Sequence, residues 1–117
     1  MQKEGPLIEK SLAFAVKIVF FCREIQENKK EYVLTKQLLK SGTSVGANIE
    51  EATQAQSIND FVSKLSIALK EAHETRYWLR IIKASRLSSP ELCDNLIQEL
   101  QEIIKMLVAS IKTAKSH

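Results

Sequence analysis

The sequence predicts an all-α protein, an up-down-up-down antiparallel four-helix bundle, and three observations carry that expectation. Breakers are scarce: 117 residues hold three glycines and two prolines, and the Gly5-Pro6 pair sits at the very start. Apolar residues recur at steps of three and four, the spacing of one helix face, in four successive stretches. Only short polar segments separate these stretches, and short connections between rods of similar length make neighbours run antiparallel. No strand-like alternation, internal repeat or low-complexity tract competes. With 44% hydrophobic residues, a chain of this size can build one core without metal or disulfide, so residues 1–117 are expected to form a single domain.

The first helix is expected over residues 7–28, where Ile8, Leu12, Ala15, Val19 and Cys22 fall on one stripe that Val16, Ile18 and Phe20 widen. Lys29-Lys30-Glu31 is a polar break, and Leu34, Leu38, Gly42, Val45, Ile49 and Ala52 form the second stripe. Ser57 is placed to cap a third helix, with Asp60 three positions on to reach back in a short-armed capping box. Phe61, Leu65, Ala68, Ala72, Thr75, Leu79 and Ile82 then keep the heptad spacing of helices packed at shallow angles. Ser89-Pro90-Glu91 is the clearest start signal: a capping serine, proline at the first helical position and an acid in the first turn. Leu96, Leu100, Ile103, Leu107 and Ile111 follow, flanked by Ile97, Ile104 and Val108. Helices of roughly 22 to 27 residues would each span roughly 33 to 40 Å.

The apolar surface is wider than one bundle core requires. Val62, Ile67, Leu69, Trp78 and Ile81 extend the third helix, and Phe14, Phe21 and Met106 lie off the main stripes of the first and fourth. Some of these are expected to face another copy of the chain.

Composition removes several classes of function. The longest apolar run, residues 12–22, carries Lys17 in its middle and is far shorter than the ~20 residues of a membrane span, so no membrane role is expected. Seventeen basic against fourteen acidic residues leave a net charge of +3, which permits a nucleic-acid partner without demanding one. A Cys22–Cys93 bridge is open to the sequence. Without a secretory signal, two reduced, buried thiols in a cytoplasmic protein are the expectation.

The second helix holds Ser41-Gly42-Thr43-Ser44-Val45-Gly46-Ala47-Asn48-Ile49-Glu50-Glu51-Ala52. A glycine inside a helix costs about 1 kcal/mol relative to alanine, so two of them four apart point to close backbone approach. Together with the preceding Leu34-Thr35-Lys36-Gln37-Leu38-Leu39-Lys40, this segment resembles the signature of the bacterial four-helix-bundle proteins of the 23S rRNA-intervening-sequence family. Residues 61–72 and Glu74-Thr75-Arg76-Tyr77-Trp78-Leu79 resemble that family's third helix, and residues 100–115 its fourth. The resemblance covers essentially the whole chain. Relatives have been labelled ribosomal proteins, a label that establishes no role in the ribosome. A related group, the accessory variability determinants of diversity-generating retroelements, forms basic pentameric barrels that bind nucleic acid and a reverse transcriptase. The resemblance therefore implies a homopentamer, with RNA, DNA or a protein such as a reverse transcriptase as partner. The modest charge of this chain departs from that group.

Arg76, Arg80 and Lys83 step along the third helix with Arg86 just beyond, and no acid occurs between Glu74 and Glu91. Lys105, Lys112 and Lys115 add a tail without acids after Glu102. Two readings fit: a stripe giving sequence-independent, salt-sensitive phosphate contacts, or a solvated face whose long side chains cover apolar surface. Trp78 points away from Arg76 and Arg80 on a helical wheel and reads as an interface or core aromatic. Asn48 is placed to fix register or bond a neighbouring backbone, and Glu50 and Glu51 as salt-bridge partners.

A di-metal carboxylate bundle needs Glu-x-x-His pairs; His73 stands two residues after Glu71 and His117 is terminal, so no metal site is expected. No nucleophile–base set or phosphate-cradling glycine loop occurs, so no catalytic residue and no cofactor is expected. The expected function is a non-catalytic, homo-oligomeric helical scaffold that binds nucleic acid or a nucleic-acid-processing protein. The alternative is a purely protein-facing assembly. Gly42, Gly46, Asn48 and Trp78 are its packing and assembly candidates.

Overall fold

In the computed structural model, which describes residues 5–116, four helices follow one another: α1 (Pro6–Lys29), α2 (Val33–Ala52), α3 (Ile58–Ala84) and α4 (Pro90–Lys115). His117 lies outside the described residues. No strand occurs among the described residues. Each helix packs on the next in sequence, and α4 returns to α1 along the most open of the four seams.

Cross-helix pairs establish that neighbours are antiparallel, because partner numbers rise on one helix as they fall on the other. Ser11 meets Gly46 while Ile18 meets Gly42; Ser41 meets Thr75 while Glu51 meets Lys64; Lys10 meets Glu102 while Lys17 meets Glu99. The resulting bundle is 47 Å long and 26 by 21 Å across.

The helix starts follow from named side chains. Ser57 Oγ accepts from Asp60 N at 3.0 Å, and Ser89 Oγ from Leu92 N at 3.1 Å with Pro90 opening α4. Asp60 reaches back to Gln56 N, at 3.4 Å, one residue before the cap. The start of α2 uses a device that the polar break concealed: Glu31 accepts from the N–H groups of Val33, Leu34 and Thr35 at 2.8 to 3.0 Å. Helix α1 ends on Lys30, and α3 is followed by Arg86, with φ of 55° and 60° in the left-handed region.

A single cluster forms the core: Phe14, Ile18, Phe21, Cys22 and Ile25 of α1 meet Leu38, Val45 and Ile49 of α2. Leu65, Leu79 and Ile82 of α3 and Leu96, Leu100, Ile103 and Leu107 of α4 complete it. Each large side chain here contributes roughly 1.5 to 3 kcal/mol by leaving water. The stripes expected for α2, α3 and α4 point inward, with Leu34, Phe61 and Ile111 half-buried at their ends.

Helix α1 is rotated from its expected register. Phe14 and Phe21 are buried, whereas Leu12, Val16 and Phe20 are 52%, 47% and 61% exposed. The helix carries apolar residues on two sides, with Lys10, Lys17 and Glu24 between them on one flank, so two stripes compete for the core. The inward one offers two phenylalanines and two isoleucines, and it presents Ser11 as a small partner to Gly46. Met106 is half-buried.

Candidate functional site

The small residues of α2 lie between two neighbouring helices. A Cβ on Gly42 would stand 3.0 Å from Cγ2 of Ile18, and one on Gly46 would stand 3.3 Å from Ser11 Oγ, so both glycines sit where α1 comes close. On the α3 side, Thr75 Oγ1 lies 2.9 Å from Ser41 Oγ. Asn48 bonds within its own helix, donating from Nδ2 to the Ser44 carbonyl at 2.8 Å, rather than to a neighbouring backbone. Glu51 pairs with Lys64 at 2.9 Å. Every buried side-chain polar atom among the described residues has a partner.

Both cysteines are free and buried. Burial, with a smaller push from the Glu31 charge, drives the Cys22 thiol up to about 12. Burial also raises Cys93, aided by Asp94 and opposed by Lys83. Such thiols are poor nucleophiles. Among the described residues no group of three or more His, Cys, Asp or Glu side chains gathers to hold a metal ion. No helix among the described residues is long and apolar enough to cross a membrane.

The basic candidates separate into unlike settings. Lys83 is committed to Asp94 of α4 at 2.7 Å. Arg76 and Arg80, seven and three residues earlier, lie on the same side of α3 and take part in none of the four ion pairs among the described residues. Arg86 sits in the turn beyond α3. Lys105 is on the exposed side of α4, whereas Lys112 and Lys115 line a hollow with Leu69, Val108 and Ile111 toward the other end of the bundle. Leu69 and Arg86 are some 25 Å apart along α3 at ~1.5 Å per residue. The cations therefore do not form one patch.

Trp78 is half-buried against the rim of the core, its Nε1 donating to Glu74 at 3.2 Å. Tyr77 is 55% exposed and meets the Trp78 ring edge-on at 5.5 Å. A feature absent from the expected sites is a groove of about 640 Å³ between α1 and α4, lined by Phe20, Phe21, Leu92 and Leu96 and rimmed by Lys17, Glu24, Glu99 and Glu102. Its only trace in the sequence is the apolar excess of α1, which periodicity assigned to the core.

The sequence profile of the family described as 23S rRNA-intervening sequence protein matches residues 3–109. The chain belongs to that family. The chain is also similar to a crystal structure from Bacteroides thetaiotaomicron, a protein of unknown function from the S23 ribosomal protein family. The two share 47% identity with a TM-score of 0.89, over 91% of this chain and 98% of the other. No curated protein matches the chain.

Proposed function

We propose that this chain is a non-catalytic, homo-oligomeric scaffold of the cytosol that recruits a partner through its assembled surface. One observation carries the reading: α1 is apolar on both sides, its inner face filling the core and its outer face leaving Leu12, Val16 and Phe20 in water. An exposed apolar stripe of this kind marks an interaction surface, and a second copy of this chain would bury it. Five copies is the stoichiometry that the family resemblance implies. Light scattering tests the proposal: the assembly must exceed the 13.2 kDa of one subunit, and Val16→Glu must return it to that mass. A wild-type protein at one-subunit mass at micromolar concentration ends the reading.

A second reading, nucleic-acid contact, is favoured by Arg76, Arg80 and Arg86, which join none of the four ion pairs among the described residues, in a stretch free of acids between Glu74 and Glu91. Titration with short RNA and DNA across a salt series separates this reading from a purely protein-facing role. Arg80→Glu must weaken binding and lower the salt slope by about one. Absence of binding at low salt removes it.

A further inference from the structure

We infer that the groove between α1 and α4 receives the Tyr77 ring, with Arg76 and Arg80 beside it, from a second copy of this chain; the inference rests on the self-association proposed above. The groove is lined by Phe20, Phe21, Leu92 and Leu96 with Glu24, Glu99 and Glu102 beside Lys17, while Lys10 pairs with Glu102 and the Arg23 guanidinium lies 5.6 Å over the Phe20 ring. Glu99 and Glu102 each spend only Oε1, on Lys17 at 2.9 Å and Lys10 at 2.8 Å. Their second oxygens and the whole of Glu24, which joins no ion pair among the described residues, remain to accept a guanidinium fork. The complementary group lies on α3: the exposed Tyr77 ring, edge-on to Trp78, flanked by two arginines that join no ion pair among the described residues. Aromatic and arginine side chains are the usual anchors of such contacts.

The placement of the two patches fits a closed assembly. Lys83 bonds to Asp94, so the arginine side of α3 faces α4, and the groove lies on the other flank of α4. Both patches are toward the end of the bundle where α3 finishes and α4 begins. Complementary patches at one level on adjacent faces allow successive copies to be related by rotation without translation, the condition under which a head-to-tail contact can close into a ring. Phe20 belongs both to the groove and to the outer stripe of α1, so one continuous surface serves the contact.

The test uses two half-defective full-length chains: Phe20→Glu, which spoils the groove, and a Tyr77→Ala/Arg80→Glu double variant, which spoils the insert. All three side chains are exposed, and unchanged helical circular dichroism confirms folding. Each variant alone is expected at one-subunit mass. An equal mixture is expected to form a species of two subunits and no larger, because each retains the opposite half. A mixture that stays at one subunit overturns the inference, as does a Tyr77/Arg80 variant that assembles like wild type. Were that variant to assemble while Val16→Glu does not, self-association would stand and this docking would fall. Loss of RNA or DNA binding by Arg80→Glu with assembly intact would assign the arginines to nucleic acid and likewise overturn it. A wild-type protein at one-subunit mass would sink both readings.

Discussion

Gly42 and Gly46 occupy the side of α2 against which α1 closes, and the two sites differ in what a larger residue meets. A methyl on Gly42 presses on Ile18, a fully buried side chain with no free direction, whereas on Gly46 it meets the hydroxyl of Ser11, which can turn. Alanine gains about 1 kcal/mol of helix propensity at either position. Gly46→Ala is therefore expected within about 0.5 kcal/mol of wild type in urea unfolding. Gly42→Ala is expected to lose about 1 kcal/mol, and Gly46→Leu about 3 kcal/mol through overpacking. The spacing of these glycines pointed to close approach; which neighbour approaches depends on a tertiary fact, the rotation of α1. Cys22 illustrates a second residue-level effect. Its folded pKa of about 12 lies above the ordinary 9.0, so the fold favours the neutral thiol. That stability is complete below pH 9 and is lost as pH climbs toward 12. Between these limits wild-type stability should fall more steeply than that of Cys22→Ala, by up to about 1.4 kcal/mol per pH unit, read by denaturant titration. Equal slopes would mean that the thiol is solvated.

Among the elements, α2 owes its start to Glu31. Partial burial works to raise this carboxyl, but the N–H groups of Leu34, Thr35 and Val33, with the Thr35 hydroxyl, outweigh it and hold the group below the usual carboxylate value. Its contribution is present above pH 4.5 and is lost as acid protonates it. Glu31→Gln should cost about 1 kcal/mol at neutral pH, with the gap from wild type closing below pH 4.5. A pH-independent difference would locate the loss elsewhere. The capping serines of α3 and α4 were legible because Ser-x-x-Asp and Ser-Pro-Glu are local signals. The Glu31 cap was not, since a glutamate between two lysines and a tyrosine reads as plain loop. The register of α1 was illegible for a different reason. Its two apolar stripes have the same period, and only the sizes of side chains on the other three helices choose between them. Helices α2 and α4, each with one apolar face, left no such choice.

For the whole molecule, burying the outer stripe of α1 in another copy couples folding to association. The midpoint of thermal unfolding is then expected to rise with chain concentration, by about 3 °C per tenfold, in scanning calorimetry. A midpoint indifferent to concentration would contradict the scaffold reading. Beyond the apolar excess of α1 the groove left no trace in the sequence, because it is made by two helices some seventy positions apart and no local pattern reports which residues the α1–α4 seam leaves open. That seam also sets the order of events during synthesis. Helix α1 leaves the ribosome first, yet the last wall against Phe14 and Phe21 is supplied by α4, whose final turn is translated 86 residues after Lys29. At roughly 5 to 20 residues per second the gap is about 4 to 17 s. Only over the last 31 of those residues, from Ala84 to Lys115, does the nascent chain hold three helices, and that intermediate carries greasy surface on both flanks of its first rod, which makes it the species with the greatest need of a chaperone.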